Sequence, residues 1–374
     1  MEVNKTEAAS QPTIAIMTMH DQHRPFRGNH FNFIDLIRTG KEMGAKVYVV
    51  TARDVQLSNR TIKSFVYNAD TKTWTKKPLP LPQVIYNRIP SRRDEQLPEV
   101  QQTIAACLKH TKLRIFNPNF FNKWTLYEWL GNAKATKKYI PATCKFAEFQ
   151  DLEAMLQQYS CVYLKPVLGK AGKGIMKIDF EGFKSSLPYL LYIQNKKKSN
   201  LTRYGRMHVL WSKLKQQIGD EDYIIQQGIT SASYKQRPFD LRVLVQKNNK
   251  GRWSLTGIGA RVAGNLSITT HVPRGGSIDE PEKLLNLTFG TENGKHILYQ
   301  VRQSALTIAR QIEKASGHNM GEMSLDLGID TAGQIWFFEA NSRPMKFDEP
   351  DIRKKSLEQI IKYCEYLSQS RKKK

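Results

Sequence analysis

Cysteine is scarce and scattered: Cys107, Cys144, Cys161 and Cys364 include no C-x-x-C pair. That spacing argues against a disulfide frame and against redox chemistry, and it suits small apolar residues in a reducing compartment. Long apolar runs are missing too, since the longest span only a few residues, far short of a membrane helix. The start, Met1 to Pro12, is polar and has no signal-peptide core, so the chain reads as cytoplasmic. No internal repeat has a solenoid period, and no nucleic-acid-binding module is recognisable. Acidic residues are the last deficit. With 34 Asp and Glu against 58 Lys and Arg the formal charge is +24, which concentrates anions at the surface. A nucleotide, an acidic small substrate, nucleic acid, or an anionic polymer or assembly would each fit, and charge alone does not choose. The run Lys196 to Lys198 and the tail Arg371 to Lys374 read as a solvated loop and a frayed end.

What is present is enough for two or three packed units, with 374 residues of which 40% are hydrophobic. Thr13 to Met19 is an apolar run, Phe33, Leu36, Ile37 and Gly40 recur at helical spacing, and Lys46 to Val50 is a strand. A second such unit has a strand Gln83 to Tyr86, a helix carrying Val100, Ile104, Cys107 and Leu108, and a strand Leu113 to Phe116. Two β-α-β units predict a parallel sheet with ligands beyond its carboxyl edge. The loops there, Met19 to Asn29 and Tyr86 to Arg93, are rich in arginine and amides. They suit recognition of a carboxylate or phosphate as well as plain solvation. Pro78 to Pro82 reads as a stiff connector. His20, His23 and His30 with Asp21 lack a placed fourth ligand, which disfavours zinc.

The richest stretch is Gly321 to Pro344. Met323 to Asp330 alternates, with Leu325, Leu327 and Ile329 on one face and Asp326 on the other. Ile335 to Asn341 is a second strand, and Thr331-Ala332-Gly333-Gln334 has hairpin length. Antiparallel pairing then sets Asp326 opposite or nearly opposite Glu339, and period two turns Glu339 and Asn341 the same way. Two carboxylates and an amide oxygen make a hard site suited to Mg²⁺ shared with nucleotide phosphates. Taken alone, the pattern fits the solvated face of a hairpin equally well.

Further signals precede it. Cys161 to Pro166 is a strand ending in Lys165. Gly169-Lys170-Ala171-Gly172-Lys173-Gly174 follows, then a strand from Ile175 to Ile178. The glycines let backbone amides approach phosphate oxygens, although such a loop alone also reads as a flexible hairpin. It is not a P-loop, because no G-K-[ST] follows and a strand succeeds it. Asp222 to Ile229 is an apolar strand ending in Gln226 and Gln227, with backbone groups to offer a base. Asp240 and Arg242 share a strand face and Arg261 lies beyond, a pattern that salt-bridged sheet residues would also give.

In this order the segments resemble the ATP-grasp superfamily from about Asn117 to Pro344. Asn122-Lys123-Trp124 with Ile140-Pro141-Ala142-Thr143 resembles its opening segment, whose lysine contacts phosphate. Lys165 matches the small-lobe lysine, Gly169 to Gly174 the phosphate loop, and Gln226 to Ile229 the adenine hinge. Asp240, Arg242 and Arg261 match the D-x-R strand and following arginine of the ribosomal-protein glutamate ligases. Asp326, Glu339 and Asn341 match the metal ligands. Ile16 to His20, Pro25 to Asn29 and Phe33 to Ile37 resemble the endospore-coat-associated ATP-grasp proteins of spore-forming Firmicutes. The hinge departs in carrying Gln226-Gln227 where many members have glutamate, and Asn341 to Met345 lacks the small-residue-Pro-Gly ending of the glutamate ligases.

The resemblance implies an α/β chain. A β-α-β pre-ATP-grasp domain (13–116) is followed by a two-lobed α+β module, with a small lobe at 117–228, a large lobe at 229–368 and a basic tail at 369–374. It further implies ATP and Mg²⁺ as cofactors, with Lys123, Lys165, Gly169, Lys170, Gly172, Lys173, Gly174, Gln226, Gln227, Ile229 and Asp240 on the nucleotide and Arg242 and Arg261 as catalytic residues. The activity implied is ligation of an unidentified carboxylate to an unidentified amine through an acylphosphate, with association to the spore coat. A nucleotide-binding coat component without turnover is the alternative, and a nonspecific nucleic-acid binder is the least favoured. Asn265 to Ser277, with His271 and Arg274, is expected to border the acceptor pocket.

Overall fold

The computed structural model describes residues 11–169, 172–195, 198–265, 267–345 and 347–370. The expectations on Met1 to Ser10, Lys170, Lys196, Lys197 and Arg371 to Lys374 lie outside them. Three six-stranded sheets follow one another along the chain.

The first is built from β1 (Thr13–Thr18), α1 (His30–Glu42), β2 (Lys46–Thr51), β3 (Thr61–Asn68), β4 (Thr73–Pro80), β5 (Val84–Asn87), α2 (Arg92–Glu95), α3 (Pro98–Lys109) and β6 (Arg114–Phe116). Its order is β4-β3-β2-β1-β5-β6, parallel from β2 to β6. The expected β-α-β units are therefore there, joined by a hairpin that the sequence reading did not foresee. Pro78 and Pro80, expected in a connector, pair with Lys63 and Thr61. They are tolerated because β4 is an edge strand, whose outer side needs no donor.

The second sheet follows α4 (Lys123–Gly131). Its elements are β7 (Thr143–Phe146), α5 (Phe149–Gln158), β8 (Cys161–Pro166), β9 (Met176–Phe180), β10 (Tyr189–Gln194), β11 (Ser199–Tyr204), α6 (Met207–Ile218) and β12 (Tyr223–Gln227). It is antiparallel throughout, in the order β11-β10-β9-β8-β12-β7. Helices α5 and α6 cover one face through Leu152, Leu156, Leu210 and Leu214, all fully or almost fully buried.

The third comprises β13 (Ser233–Tyr234), β14 (Arg237–Lys247), β15 (Trp253–Val262), β16 (Ser277–Asp279), α7 (Pro281–Phe289), α8 (Thr291–Ser316), β17 (Glu322–Ile329), β18 (Ile335–Asn341) and α9 (Pro350–Gln369). Helix α8 lays Ile297, Val301, Ala305, Ile308 and Ile312 on the sheet at turn-by-turn spacing. Helix α9 does something else. Its Ile360, Ile361, Tyr363, Cys364 and Leu367 share a core with Ile14, Ile16, Phe33 and Phe116, so the chain's last helix packs beneath the first sheet. No described helix is long and apolar enough to cross a membrane.

In the loops Met19 to Asn29 and Tyr86 to Arg93, which suit anion recognition and solvation alike, several arginines pair internally. Arg88 donates to Glu322 at 3.3 Å and to the Pro344 carbonyl at 3.1 Å. Tyr86 donates to the same carboxylate. Arg27 pairs with Asp94 at 2.5 Å, and Arg92 donates to the Phe121 carbonyl at 2.9 Å. Arg343 is buried against Glu95 and the carbonyls of Ile89, Asn117 and Pro118, with Phe120 under its guanidinium at 4.2 Å. These arginines are absorbed by internal acceptors. His30 stacks on Phe26, and Asp21 accepts from the amides of His23 and Arg24, which leaves that group tied to local structure.

Candidate functional site

A cleft open to solvent lies between the second and third sheets. Its floor is the β17–β18 hairpin. Asp326 pairs directly with Glu339, as period two predicts, and Ser324 with Asn341. A bulge after Asp326 shifts the register, so that Leu327 faces Phe337 and Phe338 is the extra residue. Phe338 and Glu339 both line the cleft. Asn341 lies two pairs further along, outside the lining residues.

Two basic side chains face this floor. Lys123 opens α4, whose N-cap Asn122 accepts from the Thr125 amide, and donates to Glu339 at 3.0 Å and to the Gly169 carbonyl at 3.3 Å. Lys165, near the end of β8, donates to Gln226 Oε1 at 2.6 Å. It stands over the rings of Phe338 and Tyr163, at 5.4 and 5.8 Å from their centroids. Burial, reinforced by the charge of Lys123, pulls the Lys165 amine down to about 8. An anion in the cleft would oppose both effects, so this lysine is short of a counter-charge.

The β14, β15 and β17 strands set a buried charge cluster beside the floor. Arg242 pairs with Asp326 across β14–β17, and Asp240 with Arg261 across β14–β15. Arg242 and Arg261 reach Asp326 at 3.9 and 3.7 Å, beyond hydrogen-bond length. Burial works to raise the Asp326 carboxyl, but the two arginines outweigh it and hold the group below its ordinary value. Asp240 goes the other way. Burial first, then the negative charge of Asp326, push it up to about 7. Thr270 donates to one of its oxygens. The other, together with one oxygen of Asp326 and the Ser324 hydroxyl, is buried without a hydrogen-bond partner.

Orphaned buried oxygens cost roughly 1–3 kcal/mol each, more when charged, and call for a ligand. Those of Asp326, opposite Glu339, have the hard oxygen chemistry that Mg²⁺ takes. Among the described residues no three His, Cys, Asp or Glu side chains stand at metal-binding spacing. The expected set has two carboxylates and an amide, and phosphate oxygens would have to complete it.

Gly169, Gly172 and Lys173 of the glycine-rich loop line the cleft. Gly172 has φ +70°, and a Cβ there would stand 2.8 Å from His271 Cδ2. Only glycine lets the loop lie against that imidazole. Gly174, at φ +76°, anchors the loop's end, its carbonyl accepting from Tyr223 at 3.0 Å. His271 lines the cleft with Thr269 and Thr270, and burial lowers its pKa. Ser267 and the Ile268 amide both donate to Gln194 Oε1, at 3.1 and 3.0 Å, which ties this wall to the second sheet.

Of the residues expected to act, the cleft thus gathers Lys123, Lys165, Gly169, Gly172, Lys173, Gln226, Gln227, Ile229, Asp240, Asp326 and Glu339. Arg242 and Arg261 stand immediately behind Asp326, and Gly174 serves the loop rather than the lining. The Gln226 amide is spent internally, holding Lys165 and donating to Thr143 Oγ1 at 2.8 Å. Sequence reasoning missed Tyr163 and Phe338, and it reached Thr270 only as part of the segment Asn265 to Ser277, whose Ile268 to His271 line the cleft. Tyr163 was within reach, lying two residues before Lys165 on the same strand face.

A family model described as YheC/D like ATP-grasp matches residues 112–367. Endospore coat-associated protein YheD of Bacillus subtilis (strain 168) is 27% identical over 351 residues, 92% of this chain and 76% of YheD. Endospore coat-associated protein YheC of the same organism is 21% identical over 365 residues, 95% of this chain and 96% of YheC. Among solved structures, the ATP-grasp ligase PsnB, complexed with minimal precursor, Mg and ADP, aligns with a TM-score of 0.53 at 10% identity. The alignment covers 95% of this chain and 98% of PsnB, and it is a likeness of fold. The family match runs from the last strand of the first sheet almost to the end of α9, and on that extent the chain belongs to the YheC/D-like ATP-grasp family.

Proposed function

We propose that this protein is an ATP- and Mg²⁺-dependent carboxylate–amine ligase that forms an amide or peptide bond. The observation that carries the proposal is the pair of buried carboxylates, Asp240 and Asp326, each with an unpartnered oxygen, in a cleft lined by Lys123 and Lys165 and backed by Arg242 and Arg261. A structural salt-bridge cluster would have spent those oxygens. A nucleotide site holds them in reserve.

In this reading Lys123, Lys165 and the loop Gly169 to Gly174, including Lys170 and Lys173, hold the phosphates. Gln227 and Ile229 flank the base, Gln226 orients Lys165, and Asp240 faces the nucleotide. Asp326, Glu339 and Asn341 would hold Mg²⁺, which when bound neutralises phosphate charge. Arg242 and Arg261 take up the charge on the phosphoryl group in transfer, work done by positioning and electrostatics. A carboxylate oxygen of the acid substrate attacks the γ-phosphorus, the bond to the β-phosphate oxygen breaks, and ADP leaves. The amine nitrogen then attacks the acyl carbon, the carbon–oxygen bond to phosphate breaks, and phosphate and a proton depart as the amide forms. The names of YheD and YheC suggest that the product serves the spore coat, and a charge of +24 suits retention by an anionic assembly.

The test is Mg²⁺-dependent ADP release by the purified protein against pools of amino acids, short peptides and cell-wall precursors, with Glu339→Gln and Asn341→Ala alongside. Release by the wild type alone, with an amide of matching mass, is expected. Silence across every pool from a protein that binds ATP overturns the ligase reading, and undiminished release by both variants overturns the metal assignment.

A further inference from the structure

The second sheet ends on an edge strand whose outer side pairs with no described strand. Its outermost strand, β11, lies beyond β10, and Asn200, Leu201, Thr202 and Arg203 are all exposed. The hydrogen-bonding pattern fixes what that edge offers. The Asn195 amide donates to the Lys198 carbonyl at 2.9 Å, which makes those two a hydrogen-bonded pair at the hairpin's turn. Along an antiparallel ladder such pairs alternate with non-hydrogen-bonded ones. The register Ile193–Asn200, Tyr192–Leu201, Leu191–Thr202, Leu190–Arg203 is unbroken. Asn200 and Thr202 therefore turn their peptide groups in toward β10, while Leu201 and Arg203 turn theirs outward.

Two further observations say what would take them. Between Glu181 and Ile218 the described basic residues are Lys184, Lys198, Arg203, Arg206, Lys213 and Lys215, against the single acid Glu181, which pairs with Arg203 at 2.9 Å, so this stretch of chain keeps a net positive charge. Apolar side chains stand among them. Leu201 is 47% exposed and Phe183 85%, and Leu187 lies close to Gly205 just past the strand's end. The opposite treatment of β4, where Pro78 and Pro80 block an edge of the first sheet, shows how this chain protects a strand from pairing. Strand β11 has no proline and pairs with no described strand on its outer side.

We propose that the outer edge of β11 is a docking strip for an extended acidic segment of a partner protein, which adds as a seventh antiparallel strand on the second sheet. Backbone pairing at Leu201 and Arg203 supplies the register, the surrounding lysines and arginines attract the acidic side chains, and Leu201 seats an apolar one. The edge starts beside the cleft, because Ser199 pairs with Gln194, the residue that holds the Ser267 and Ile268 wall. The inference stands apart from ligation, since binding is read without ATP.

The experiment is fluorescence anisotropy of the full chain with a labelled peptide of six Glu-Val repeats, against a Lys-Val peptide of equal length. Leu201→Pro removes one outward donor and leaves the bonds to β10 in place, and it should weaken the acidic peptide roughly tenfold, about 1.4 kcal/mol. Lys198→Glu with Arg206→Glu should weaken it comparably by charge, and added salt should do the same. The Lys-Val peptide should not bind. Equal affinity of Leu201→Pro and wild type, with the melting temperature preserved, would overturn strand addition. So would a single-stranded oligonucleotide that displaces the peptide and binds Leu201→Pro undiminished, which would assign the surface to nucleic acid.

Discussion

Two clusters of buried charge among the described residues are finished differently. Where the first sheet meets the third, Arg343 has Glu95 and three backbone carbonyls as partners, and Glu322 accepts from Tyr86, Arg88 and Gln246. In the cleft, Arg242 and Arg261 stop short of hydrogen-bond contact with Asp326, while Asp240 and Asp326 each keep an oxygen unpartnered. Burial is similar in the two places, so it does not distinguish them. Saturation does. A buried ion pair whose charged oxygens are hydrogen-bonded holds two units together, whereas one left short is ready for a ligand that brings the missing groups.

Breaking each cluster in turn sharpens the contrast. The largest effect is expected from Asp326→Asn, which removes a charge from the proposed metal site and should lower Mg²⁺-dependent ADP formation by roughly a hundredfold or more. Thermal unfolding of the same variant should remain cooperative. Retained turnover would mean that the orphaned oxygen is an accident of packing. Arg343→Met is the converse. It strands Glu95 without its guanidinium and should cost about 3–5 kcal/mol of stability in chemical denaturation. ATP affinity of the folded fraction should stay near wild type, and its loss would show that the two clusters act as one.

Legibility from sequence followed the same division. The floor of the cleft was readable because its residues are close in sequence: a hairpin-length link with a glycine and a period of two bring Asp326 to Glu339 without reference to anything else. Lys165 and the phosphate loop are likewise one strand–loop–strand. The clamp was not readable. The partners of Arg88 and Arg343 lie 234 and 248 residues away, and an arginine in a polar loop looks the same whether it awaits a phosphate or a buried glutamate. The β3–β4 hairpin was hidden by Pro78 and Pro80, whose penalty disappears on an edge. Gln226 was read only as part of a hinge offering backbone groups to a base; its side-chain bond to Lys165 follows from the β8–β12 register, which sets Tyr163 opposite it and Lys165 one diagonal away on the same face. The docking of α9 on the first sheet is tertiary in the same sense.

The smallest expected effect tests the unsaturated cluster without any ligand. Asp240 sits at about 7 in the folded protein against an ordinary 3.8, so between those values the folded chain holds a proton that the unfolded chain has released. Stability from this group is complete below about pH 4 and is lost as pH rises through 7. Asp240→Asn is neutral throughout and keeps an acceptor for Thr270. The variant should therefore melt a few degrees above wild type at pH 8, and the gap should close as the pH falls toward 4. Asp326, held low, contributes with the opposite sign, its share being lost as pH falls, and comparing the two proteins removes most of that share. A gap that does not change with pH would mean that Asp240 is ionised in the fold and already satisfied, which would leave the cleft no less saturated than the clamp.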